Sequence, residues 1–111
     1  MGRALGEFEQ VLLFALVALG EEAHGNAVRE FVEQETGRAR SPGSIHLTLE
    51  RLQRRGCVSS SLGDPTPIRG GRRKRFYSLT PAGARALKTS YEMLATMARG
   101  RLERLDELAA G

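Results

Sequence analysis

The sequence predicts a mostly α-helical fold with one small β-hairpin near its middle. Three observations carry this. Apolar residues recur at helical spacing before residue 56 and again after residue 81. Between them, a Ser-rich stretch at residues 57–62 with Val58 and Leu62, and an alternating stretch at residues 73–79, read as strands around a Gly- and Pro-rich loop. Two hydroxyl-proline pairs, Ser41-Pro42 and Thr80-Pro81, mark helix starts.

The first helix is expected over residues 5–19. Phe8, Val11, Leu12, Ala15, Leu16 and Leu19 follow its periodicity, but Leu13, Phe14 and Val17 fill much of the opposite face. A helix apolar nearly all round must be buried nearly all round. Either a partner chain covers part of it, or it is the central core helix of one monomer. Gly20 closes it, and His24-Gly25-Asn26 reads as a turn in which Asn26 can cap a second helix. That helix runs to about Thr36, with Ala27, Val28, Phe31 and Val32 inward, and Gly37 ends it.

The third helix is expected over residues 41–55, stopped by Gly56. Ile45, Leu49 and Leu52 share its inner face. At about 100° per residue, Gly43, Ser44, Leu47, Glu50, Arg51 and Arg54 point outward. Small residues at the start and cations further along suit a helix whose N-terminal end enters the major groove. Two helices joined by a short turn, the second basic on its outer face, are the helix-turn-helix pattern.

The strand of residues 57–62, the loop, and the strand of residues 73–79 form a hairpin with a long basic tip, a wing. Arg75, Tyr77 and Leu79 are expected on one side, Phe76 and Ser78 on the other. Thr80-Pro81 then opens a helix towards Ala109. Leu87, Tyr91, Leu94, Ala98, Leu102, Leu105 and Ala109 repeat at spacings of three and four, broadened by Met93 and Met97. Gly100 is a point where this helix can bend or fray. No further helix follows to cover the stripe, so a second copy is the simplest cover. The expected organisation is a winged helix-turn-helix over residues 5–80, followed by a long C-terminal dimerisation helix over residues 81–109 that packs with the helix of residues 5–19. Phe8, Leu12, Leu87, Tyr91, Leu94, Ala98, Leu102 and Leu105 are the candidate dimer residues.

Charge points to the partner. The chain of 111 residues carries a net charge of +4. Residues 38–75 hold ten Lys/Arg against two acids, a net of +8, and the remainder carries −4. A cationic block this one-sided is the electrostatic footprint of a nucleic-acid binder; a solvated charged face is the plainer alternative.

These pieces resemble the PadR-like transcription regulators. His24-Gly25-Asn26-Ala27-Val28 stands where that family has a His-Gly-aromatic turn, with Asn26 replacing the aromatic. Ser41-Pro42-Gly43-Ser44-Ile45-His46 matches its Ser-Pro-Gly helix start, with His46 where tyrosine is usual. Leu49-Glu50-Arg51-Leu52 through Gly56 matches its helix end. Arg73-Lys74-Arg75-Phe76-Tyr77-Ser78-Leu79-Thr80-Pro81-Ala82-Gly83 matches its wing. The single C-terminal helix is similar to the family's short subgroup, in which the first and last helices build the dimer. The resemblance implies regulation, and repression in particular, by binding operator DNA.

Site roles follow from chemistry. Arg72, Arg73, Lys74 and Arg75 are expected on phosphates or in the minor groove. Strand alternation could instead pack the Arg75 stem beside Tyr77 and Leu79 and leave its head exposed. Ser41, Ser44 and His46 lie near a helix N-terminus, where hydroxyl, backbone N–H and imidazole groups can hold phosphate. Leu47 and Arg51 are candidates for base edges, a thymine methyl and a guanine, with Arg54 beside them. For each residue the alternative is a solvated side chain.

Other classes find little support. His24 is read as a turn-supporting residue and Cys57 as a half-buried strand residue. One Cys and two His far apart make no metal site, and no cofactor is expected. Ser59-Ser60-Ser61 lacks a matching base, and no Gly-rich phosphate loop follows a strand, so no enzyme is expected. The apolar run of residues 11–19 is too short to span a bilayer and has no positive leader, so a cytoplasmic location without membrane contact is expected. A small-molecule effector between paired C-terminal helices, lined by Tyr91, Met93 and Met97, competes with plain interface core at those residues. The alternative to operator binding is a protein-interaction adaptor that keeps the winged fold and docks another protein on its last helix.

Overall fold

In the computed structural model, which describes residues 4–63 and 73–111, three helices precede a hairpin and two helices follow it. They are α1 (Glu7–Leu19), α2 (Gly25–Thr36), α3 (Pro42–Arg54), β1 (Val58–Leu62), β2 (Arg75–Leu79), α4 (Pro81–Ala98) and α5 (Leu102–Ala110). A single 3-10 turn at Gly20–Glu22 links α1 to α2.

Local chemistry sets these boundaries. Glu9 accepts a hydrogen bond from the Gly6 N–H at 2.8 Å and so satisfies an open donor at the start of α1. At α2 the cap is His24 rather than Asn26. Its Nδ1 accepts from the Ala27 N–H at 3.3 Å, and Asn26 lies two residues further on, already inside the helix. Asn26 instead accepts from Arg29 Nη2 at 2.8 Å. Ser41 Oγ accepts from the Ser44 N–H at 3.1 Å, and Thr80 Oγ1 from the Gly83 N–H at 3.0 Å, so α3 and α4 begin where the hydroxyl-proline pairs place them.

Leu12, Leu13, Leu16, Val28, Val32, Ile45, Leu49 and Leu52 form the centre of one apolar core, joined by Val58, Tyr77 and Leu87. Each fully buried aliphatic side chain contributes about 1.5–3 kcal/mol. The hairpin is antiparallel, with Val58 opposite Leu79 and Leu62 opposite Arg75. Its inner residue Tyr77 donates its N–H to Ala23 O at 2.9 Å, which fastens the wing to the turn before α2. In β2, Tyr77 is buried while Arg75 and Ser78 are exposed.

At the junction of wing and α4, the Thr80 N–H donates to Cys57 O at 3.1 Å. A Cβ on Gly83 would collide with that same carbonyl oxygen, so only glycine lets α4 approach β1 this closely.

Two expectations change. The last helix is two helices: α4 ends at Ala98, Gly100 takes φ +74°, and α5 starts at Leu102. The break is stabilised by Arg101, whose Nη1 donates to Met97 O at 3.0 Å and to Arg99 O at 3.3 Å. The apolar stripe is therefore not continuous on one helix. Second, Leu12 (0% exposed) and Leu87 (5%) lie in the chain's own core and have no surface to offer a partner. They are core residues, not dimer residues. Phe14 (45%) and Val17 (61%) are the large apolar residues of α1 that are exposed.

Candidate nucleic-acid interface

α3 is held from beneath by Ile45, Leu49 and Leu52, all buried. Its other side is open. Leu47, Arg51 and Arg54 are exposed, Ser44 is half-buried, and Ser41 is exposed at the cap. The Ser41 hydroxyl already accepts the Ser44 N–H, which leaves its own proton free to donate outward.

A hydrogen-bond chain joins this helix to the wing. Arg75 Nη1 donates to Ser60 Oγ at 3.0 Å, and Ser60 Oγ donates to Gln53 Oε1 at 3.1 Å. The Arg75 head is thus turned back to the middle of β1 rather than extended at the tip. Arg75 and Gln53, together with His46, Glu50, Arg54 and Tyr77, line an open groove between α3 and β2. Burial raises the Tyr77 phenol above its ordinary value; the nearby Arg75 charge opposes the shift and Glu50 adds to it.

Towards the tip, Arg73 Nε donates to Gly63 O at 3.0 Å, and the Gly63 N–H donates to Lys74 O at 2.7 Å. Arg73 and Lys74 are exposed there. Arg72, also expected in the interface, lies outside the described residues.

His46 does not stand free at the helix start. Its Nε2 lies 3.5 Å from Glu50 Oε1, while Arg54 Nη2 lies 4.0 Å from Glu50 Oε2. Glu50 and Gln53 were not among the expected site residues; their facing towards a groove depends on where the wing packs. Arg40 is a further cation beside Ser41, with its guanidinium 4.2 Å above the Phe8 ring. Its signal in the sequence was its place in the basic block immediately before the cap. Arg55 points the other way, with Nη1 3.1 Å from Glu9 Oε2, and ties the end of α3 to α1. His24 meets the Phe76 ring edge-on at 5.7 Å and supports the turn, as expected.

Away from this surface, Tyr91, Leu94, Leu102, Leu105 and Leu108 are exposed, and Ala98 is half-buried. Phe8 is partly covered by the core. Phe14 and Tyr91 meet edge-on at 5.8 Å, so the open faces of α1 and α4 adjoin. A shallow groove at the α4–α5 break is lined by Tyr91, Ala95, Ala98 and Leu102, without Met93 or Met97. Among the described residues no group of three His, Cys, Asp or Glu could hold a metal, and no helix is long and apolar enough to cross a membrane.

A three-helix unit with a short-turn helix pair, one open basic-edged helix and a hairpin beside it is a winged helix-turn-helix. The transcriptional regulator PadR-like family model matches residues 13–89, and the chain belongs to that family. Its fold is similar to that of RosR from H. salinarum, at 27% identity and TM-score 0.67, covering 97% of this chain and 93% of that one. It is also similar to a PadR-like transcriptional regulator from Bacillus cereus, at 19% identity and TM-score 0.68, covering 94% and 92%. Bacillus subtilis PadR, solved in complex with operator DNA, shares 20% identity and TM-score 0.63 over 74% of this chain and 45% of that one. No curated protein matches the chain.

Proposed function

We propose that this chain is a cytoplasmic, operator-binding transcriptional repressor that acts as a homodimer. The observation that carries the reading is the open outer face of α3, with Leu47, Arg51 and Arg54 exposed beside a wing that presents Arg73 and Lys74. In this reading α3 enters the major groove. Ser41, Ser44 and Arg40 hold phosphates at its start, and Leu47, Arg51 and Arg54 meet base edges. Arg73 and Lys74, with Arg72, add sequence-independent affinity on phosphates or in the minor groove. Arg75 chiefly positions the wing through Ser60. The operator complex of the Bacillus subtilis relative supports duplex DNA as the ligand class.

The dimer is built by the open faces of α1, α4 and α5, through Phe14, Val17, Tyr91, Leu94, Leu102 and Leu105. It presents α3 twice, so the operator is a pseudo-palindrome with half-sites about one helical turn, or a multiple, apart. Repression follows if the dimer occupies duplex that another protein must use. An effector seated against Tyr91 would act by changing dimer geometry, and its addition would change operator affinity.

The test is duplex binding over a salt series. Affinity falls linearly on a log–log plot, and replacing Arg73 and Lys74 together by Ala lowers the slope by about 0.9 for each phosphate that is no longer neutralised. Salt-independent binding, or no binding at low salt, would contradict the reading. An adaptor that docks protein on its last helix would keep its partner in the same double variant.

A further inference from the structure

Glu50 stands in the middle of a surface that is otherwise built to meet an anion. It is the one acid of α3, on the outer side, with its side chain about half exposed. Its two carboxylate oxygens face different neighbours one turn away: Oε1 lies 3.5 Å from His46 Nε2, and Oε2 lies 4.0 Å from Arg54 Nη2. Both contacts are long and solvent-exposed, and such pairs add little to helix stability. Neither contact is a short hydrogen bond, so lone pairs on both oxygens stay available to a donor from outside the helix.

We infer that Glu50 is a specificity-determining residue that selects cytosine at one position of each operator half-site. This rests on the DNA-binding reading of α3. A carboxylate only accepts hydrogen bonds. In the major groove, guanine N7 and O6, adenine N7 and thymine O4 are also acceptors, and each repels it. The donors available are cytosine N4–H and adenine N6–H. Adenine carries the N7 acceptor beside its donor, where the second carboxylate oxygen would come. Cytosine has a C–H at that edge. A carboxylate closed into the interface without a donor is strongly unfavourable, so Glu50 penalises wrong sequences as well as rewarding the right one. It also weakens binding to duplex of arbitrary sequence by placing negative charge near the phosphates.

The experiment is selection of bound duplexes from a random pool with the full-length wild type, Glu50→Gln and Glu50→Ala. Both substitutions fall on an exposed helix position and leave the helical circular-dichroism spectrum unchanged. The wild type enriches cytosine at one position per half-site. Glu50→Ala loses that preference, lowering discrimination there by about ten- to a hundredfold, while other positions stay as they were. Glu50→Gln shifts the preference to adenine, whose N6 and N7 match an amide. Its affinity for arbitrary duplex rises, as does that of Glu50→Ala. Identical preferences in all three proteins overturn the assignment while leaving DNA binding intact. A wild type that enriches no duplex overturns both.

Discussion

α3 and α5 carry the same kind of apolar stripe, yet one is covered and the other is not. Ile45, Leu49 and Leu52 of α3 are buried, whereas Leu102, Leu105 and Leu108 of α5 all lie more than half exposed. The difference teaches that periodicity says that a stripe needs cover, not what supplies it. α3 is covered by α1, α2 and β1 of its own chain. α5, nine residues long, has no buried residue. A helix of that length is marginal in water without a packing partner. The proposed second copy would supply one.

Substitutions sharpen the contrast, and the largest effect belongs to the covered stripe. Leu49→Ala is expected to cost about 2–5 kcal/mol in denaturant unfolding, because the side chain is fully buried and the site can collapse only partly. Gly83→Ala is expected to follow at about 1–3 kcal/mol, measured the same way, since its Cβ would meet the Cys57 carbonyl. The open stripe behaves differently. Leu105→Ala leaves the unfolding of dissociated chains unchanged but weakens self-association about tenfold or more, read from the concentration dependence of sedimentation. Equal effects of Leu49→Ala and Leu105→Ala on an isolated chain would remove the contrast.

Smaller effects test the local chemistry. Ser41→Ala is expected to cost about 1 kcal/mol by removing the acceptor for the Ser44 N–H. Tyr77 contributes at alkaline pH. Its folded phenol titrates above the ordinary 10.0, so its contribution is constant below that value. Above it the unfolded phenol loses its proton first, and stability falls until the folded phenol also ionises. Tyr77→Phe would remove that part of the alkaline decline, measured by thermal melts across pH.

Much of the fold was legible because its signals are local. Ser41-Pro42 and Thr80-Pro81 cap within three residues of themselves, and the alternation from Arg75 to Leu79 is visible in any strand with one buried side. What escaped depends on distant partners. The Arg55–Glu9 pair joins residues 46 positions apart. The Arg75–Ser60–Gln53 chain exists only once the hairpin packs beside α3. Leu12 and Phe14 look alike in a helix that is apolar all round, and only the packing of α2, α3 and α4 divides them. His24 as a cap escaped for another reason: an imidazole nitrogen can do what Asn26 is expected to do, when the histidine's own backbone is extended.

The fold and the charge meet in one claim: two copies, joined through the open faces of α1, α4 and α5, place two α3 helices on one duplex. The mass of the complex formed with a selected duplex, measured by sedimentation at low salt, tests this most directly. The expected result is two chains of 12.1 kDa on each duplex. One chain per duplex, or no complex, would contradict it.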